Sequence, residues 1–153
     1  MDFDKKIDEL FLDLPEITPA AGTASNVIQT GKLVFLSGVL PFKEGKIACK
    51  GRVGLEVNAE AGRMAAHAAC MLTLGILRNF LGGSLNKVRQ IVSLRAFVAS
   101  GAEFKDHQKV ADGALELLSD IFGNAGKPAR SAVGVTALPN NATVELEMIV
   151  EIR

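Results

Sequence analysis

Arg130 stands near the head of a small, apolar segment, Ala129–Val135, directly after Gly126-Lys127-Pro128. An arginine at a strand start can offer its planar fork to a carboxylate, helped by the neighbouring backbone N–H groups. It can equally form an ion pair with a nearby glutamate. Glu145 lies in the last segment of the chain, which the pattern places opposite Arg130 in a closing hairpin. Its carboxylate can serve that structural pairing, or it can hold and polarise a water as a general base. On the residues alone, both readings stay open.

Other reactive side chains point to less. Cys49 and Cys70 are isolated, with no C-x-x-C and no histidine at ligand spacing, so neither a zinc site nor a disulfide framework is expected, and no metal is. Gly45-Lys46 lacks the earlier glycine of a phosphate-binding loop, and Ile47 occupies the place of its Ser/Thr. Ser84-Leu85-Asn86-Lys87 matches S-x-x-K without companion motifs and follows Gly82-Gly83, which makes Ser84 a helix-cap residue rather than a nucleophile. His67 and His107 share no spacing and have no evident acidic partner; both read as structural, although His107 can also face a site. Arg63, Arg78, Lys105, Lys109 and Asp112 read as a solvated helix face.

The elements that must position Arg130 and Glu145 follow from periodicity. Residues 1–18 form an acidic extension with Phe3, Ile7, Leu10 and Phe11 at helical spacing, ended by Pro15. Val27-Ile28 and Leu33–Leu36 flank a turn at Gly31, predicting two strands. Gly38, Pro41, Gly45, Gly51 and Gly54 then punctuate a mobile loop with one short strand. From Ala59 to Phe80 the apolar period is near 3.6, predicting a long buried helix stopped at Gly82-Gly83. Val88–Val98 reads as a strand, and Glu103–Phe122 as a second helix capped by Gly123. After the strand 129–135, residues 143–152 alternate, with Val144, Leu146, Met148, Val150 and Ile152 on one face. The predicted whole is one α+β domain over residues 1–153, with two long helices on one face of a sheet. The mixed character of the other face predicts oligomerisation.

Composition narrows the function classes. The 153 residues carry 17 Lys+Arg against 17 Asp+Glu, with no Trp, no Tyr and 8 Phe. Balanced charge and a lack of stacking platforms argue against nucleic-acid binding, and a tyrosine acid or nucleophile is excluded. No run of 18 apolar residues occurs, and the charged N-terminus does not resemble a secretory signal, so a cytoplasmic protein with no membrane partner is expected.

Pro128-Ala129-Arg130-Ser131, Val133, Val135, Leu138-Pro139 and Val144-Glu145-Leu146-Glu147 with Ile149 together resemble the C-terminal signature of the YjgF/RidA family, often named endoribonuclease L-PSP. Thr30–Gly38 with Leu40-Pro41 is similar to that family's N-terminal hairpin, and the likeness covers roughly residues 20–153. The insertion Gly51–Gly54 and the N-terminal extension resemble a longer subgroup. The resemblance implies a chorismate-mutase-like mixed sheet, a homotrimer and three clefts between subunits. It implies that Arg130 binds the carboxylate of a 2-imino acid, that Glu145 positions the attacking water, and that Ala132 contributes its backbone. Ser37 and Gly38 are then substrate-binding, Ala24 and His107 cleft-lining, and no cofactor is needed. Ala24 stands where the family's deaminases carry a tyrosine, whose loss removes a substrate-facing hydroxyl and opens the cleft, and Ala132 stands where they carry a cysteine. The implied activity is hydrolysis of imines to 2-oxo acids and ammonia. Alternatives are a non-catalytic binder of small carboxylates and, more distantly, a ribonuclease.

Overall fold

The computed structural model describes residues 1–16 and 25–153. The order is α1 (Phe3–Glu9), β1 (Val27–Thr30), β2 (Leu33–Val39), β3 (Phe42–Lys43), β4 (Lys46–Ile47), α2 (Ala59–Phe80), β5 (Val88–Ala99), α3 (His107–Phe122), β6 (Ala129–Val135) and β7 (Val144–Ile152). Helix α2 has the predicted bounds: the Asn58 side chain caps the Ala61 N–H at 2.8 Å, and Gly82 and Gly83 turn out of it with positive φ.

Three expectations are corrected. Helix α1 stops at Glu9 rather than near Pro15, because Phe11 has φ 53° and is 94% exposed, so it joins no buried stripe. The glycine-punctuated region contains a small hairpin, β3 and β4, turned by Glu44-Gly45 with both φ positive. Helix α3 starts at His107, four residues later than the periodicity suggests, after a turn in which the Phe104 N–H donates to the Gly101 carbonyl.

The larger correction concerns topology. The sheet order is β1-β2-β7-β5-β6, and all pairs are antiparallel except β5 with β6. Strands β6 and β7 therefore form no hairpin. The twelve-residue β5 lies between them, and α3 is the crossover that a parallel β5–β6 pair requires.

Leu94, Ala96 and Val98 of β5 share one face with Val144, Leu146, Met148 and Val150 of β7 and with Val34 and Leu36 of β2; all are buried. Helices α2 and α3 pack on this face. Each fully buried Leu or Val contributes about 1.5–3 kcal/mol. The helices meet through small residues: a Cβ at Gly113 of α3 would fall 2.0 Å from the Arg63 carbonyl oxygen of α2. Ala65, Ala66 and Ala69 continue the contact surface of α2. Helix α1 packs beside α3, with Phe3 edge-on to Phe122 at 4.8 Å.

Ser84 caps no helix. Its hydroxyl bonds the Asp4 carboxylate, which also accepts the Leu85 N–H, while the Asn86 amide oxygen accepts the N–H groups of Phe3 and Asp4. The loop after α2 thus ties down the N-terminal extension. No helix among the described residues is long and apolar enough to cross a membrane.

Because the Arg63 carbonyl is backbone and cannot swing aside, Gly113→Ala should force the two helices apart. The expected loss is about 1–3 kcal/mol, seen as a lower urea midpoint with an unchanged transition slope.

Candidate functional site

Between Leu36 and Val39, β2 carries one more residue than its partner β7: Leu36 pairs with Met148 but Val39 pairs with Leu146. The extra residue makes a bulge at Ser37-Gly38, with Gly38 at φ 71°. Ser37 there donates its hydroxyl to Glu147 Oε1 at 3.1 Å. A Cβ at position 38 would lie 3.3 Å from Glu145 Oε1, so the Glu145 carboxylate rests against the bulged backbone. Ser37, Gly38, Glu145 and Glu147 form one cluster on the face of the sheet away from the long helices. Burial, and after it the neighbouring Glu147 charge, pushes the Glu145 carboxyl above its ordinary range. A carboxylate tuned upward is a better proton acceptor near neutral pH.

Arg130 lies elsewhere. It pairs with Leu94 of β5, whose side chain faces the helices, so Arg130, Ala132 and Gly134 share the helix side of edge strand β6. Its guanidinium donates to Gln108 Oε1 at 2.7 Å and to Asp112 Oδ1 at 3.3 Å, both on α3. Asp112 is thus an ion-pair partner of Arg130 rather than part of a solvated face, and Glu145 is not opposite Arg130. Of the remaining helix charges, Arg63 pairs with Glu116 and Lys109 with Asp106. Beside Arg130 is an open hollow of about 350 Å³ lined by Asp112, Leu115, Ser119, Lys127 and Pro128. Ala132 is half-buried opposite Ala96.

His107 opens α3 and meets the Ser100 hydroxyl at 3.0 Å. Ala24 lies outside the described residues. Cys49 and Cys70 are free, and burial pushes the Cys70 thiol up to about 12, which makes it inert. A cavity of about 810 Å³ between the N-terminal segment and the long helices is lined by Leu10, Leu12, Met64 and His67 and contains none of the predicted site residues. No cluster of three or more His, Cys, Asp or Glu that could hold a metal occurs among the described residues.

The chain therefore carries its candidate groups in two separate places. An acid cluster with a hydroxyl and a bulged backbone lies on one sheet face, and an arginine held by α3 lies on the other. Glu147 was readable as sharing a face with Glu145, two residues away. Gln108 and Asp112 lie one helical turn apart, which marks a shared face but not its target. Nothing in the spacing identifies Ser100, which meets His107 only through the turn between β5 and α3.

The fold and these groups define an α+β domain with an arginine and a carboxylate cluster set on opposite faces of a mixed sheet. Residues 5–152 match the family described as "YjgF/chorismate_mutase-like, putative endoribonuclease". The chain belongs to this YjgF/RidA family. It is 31% identical over 147 residues to Protein TCP17 of Trypanosoma cruzi, covering 95% of this chain and 91% of that one. A crystal structure of a protein with unknown function from Agrobacterium tumefaciens superposes with a TM-score of 0.91 at 36% identity, covering 99% of this chain and 93% of the other. A 2-iminobutanoate/2-iminopropanoate deaminase of Dermatophagoides farinae is 29% identical over 134 residues, 86% of this chain and 87% of that one.

The raised Glu145 carboxyl has a stability consequence. The folded protein holds this proton more tightly than the unfolded chain does, so ionised Glu145 detracts from stability as the pH rises through and above the usual carboxylate range. Glu145→Gln should raise the urea midpoint at pH 7, and the gain should vanish below about pH 4.

Proposed function

We propose that this protein hydrolyses reactive 2-imino acids to 2-oxo acids and ammonia, at clefts between the subunits of a homotrimer. The observation that carries this reading is the placement of Arg130 and Glu145 on opposite faces of one sheet. A small substrate cannot touch both through that sheet. It can do so where the Glu145 face of one copy meets the β6 edge of another. The Glu145 face is suited to such a contact: Ile28, Phe35 and Val133 are exposed on it, with Phe97 and Ile149 half-buried beside them.

In this cleft Arg130 binds the substrate carboxylate, exchanging contacts with Gln108 or Asp112 for the ligand, and the Ala132 backbone helps to orient it. Glu145 takes a proton from water as oxygen attacks the imine carbon. It returns that proton to nitrogen, giving a carbinolamine; Glu145 then takes the hydroxyl proton and passes it to the amine, and ammonia leaves as the carbonyl forms. The carbon is already electrophilic, so orientation and a placed base supply most of the rate. Ser37 and Gly38 fix the carboxylate of Glu145 through the bulge. The deaminase relative supports the chemistry, and no cofactor enters it. The two free cysteines suit a reducing cytoplasm. The absence of tyrosine anywhere in the chain favours a second reading, a carboxylate binder without turnover. Balanced charge offers nothing for RNA.

Imines generated in situ from several amino acids should release ammonia faster with the protein than in buffer. Arg130→Ala should lower kcat/KM about 10–100-fold, the worth of a charged hydrogen-bond pair, and Glu145→Gln about 10²–10⁴-fold. Co-refolding the two impaired variants together should restore full activity at about a quarter of the clefts, above the residual activity of either variant, as random mixing of a cyclic trimer requires. Zero recovery would show that both residues act within one protomer. Carboxylate-dependent thermal stabilisation with no ammonia release would establish the binder instead.

A further inference from the structure

The Ser100–His107 pair lies outside the chemistry above, and several features of the structure are built around it. Ser100 Oγ and His107 Nε2 are 3.0 Å apart, hydrogen-bond distance for a nucleophile and its base. Both side chains line a cavity of about 740 Å³ at the C-terminal end of β5, with Arg52, Phe104, Lys105 and Thr136. The backbone on both sides of the serine is fixed: the Ser100 N–H donates to the Val135 carbonyl at 3.1 Å, and the Gly101 N–H to the Val53 carbonyl at 2.9 Å. The Phe104 ring meets the imidazole edge-on, at 5.1 Å and 83°.

Gly134 makes the case specific. It lies within β6, where glycine weakens a strand, and its φ is not in the positive range that would demand glycine. Its reason is space. A Cβ there would fall 2.5 Å from His107 Nε2 and 2.8 Å from Ser100 Oγ. Any other residue at 134 would displace the pair.

The geometry points to a second reactive centre in which Ser100 is an acyl acceptor and His107 its general base, acting on small anionic esters or thioesters. In the Nδ1-protonated tautomer the Ser100 hydroxyl donates to Nε2. As Oγ bonds to the substrate carbonyl carbon, that proton passes to His107. The tetrahedral adduct expels its alcohol or thiol, which takes the proton from His107, and acyl-Ser100 remains. Water, deprotonated by His107, then cleaves the acyl–oxygen bond; the proton returns to Oγ and a carboxylic acid leaves. Lys105 gives the cavity positive charge that suits a developing oxyanion and an anionic substituent, joined by Arg52, whose guanidinium also meets Glu56 Oε1 at 3.3 Å.

The test is labelling of the full chain with an alkyl fluorophosphonate, which forms an Oγ–phosphorus bond as fluoride departs, followed by peptide mapping. One adduct on Ser100 is expected, none in Ser100→Ala, and labelling at least tenfold slower in His107→Gln and Gly134→Ala. Hydrolysis of 4-nitrophenyl hydrogen succinate should exceed that of 4-nitrophenyl acetate, and the preference should shrink in Lys105→Ala. Far-ultraviolet circular dichroism checks that each variant is folded. Absence of an adduct on Ser100 in the unmodified protein would overturn the proposal, whatever the variants do. Equal labelling of folded His107→Gln would also overturn it, leaving the pair as a tether between β5 and α3.

Discussion

Strand β5 is the constraint from which the rest of this molecule follows. It is the only strand among the described residues with one parallel and one antiparallel neighbour, and its Leu94, Ala96 and Val98 face the helices together with the buried rows of β7 and β2. Pairing then dictates the faces of both neighbours. Arg130 and Ala132 come level with Leu94 and Ala96, on the helix side, while Glu145 comes level with Phe97, on the other. A slip of one residue would exchange the buried row for Arg95 and Phe97, burying a charge, so the register is strongly held. The separation of Arg130 from Glu145 is a by-product of core packing.

Much of this was present in the sequence. The 3.6-residue period of Ala59–Phe80 and the period-two alternation of Val144–Val150 are signals strong enough to survive tertiary context, and both elements lie where the pattern puts them. Arg130 and Glu145 stood out for their chemistry. What could not be read was who pairs with whom. Neighbouring strands in sequence suggest a hairpin, yet β5 intervenes between β6 and β7, with its apolar row buried under the helices. Ionic partners were equally hidden: Asp112 resembles any helix-surface acid until the parallel crossover lays α3 over β6. Phe11 fitted the helical spacing of α1 and failed because no apolar surface lay beneath it.

The acidic N-terminal extension also has a different character from what its charge suggests. Asp2 caps the first turn of α1 and also bonds the Asn86 side chain, and Asp4 ties the loop after α2, so these acids serve backbone N–H groups and amide partners rather than a cationic ligand. Their anchoring holds Phe3 and Ile7 in the core beside α3. The same helix carries the partners of Arg130 at its other end, so the extension braces the element that holds the arginine.

Strand β6 closes one side of the sheet. It is an edge strand, largely exposed, and no strand among the described residues pairs with its outer side. Seven residues of open backbone with Val133 and Val135 among them are an invitation to unwanted strand addition, the route by which sheet proteins aggregate. Pro128 immediately before the strand and the charge of Arg130 near its start are ordinary deterrents at one end, but Val133–Val135 has none. A chain with this edge uncovered would offer it to its own kind, so solubility during synthesis depends on the strand that carries Arg130.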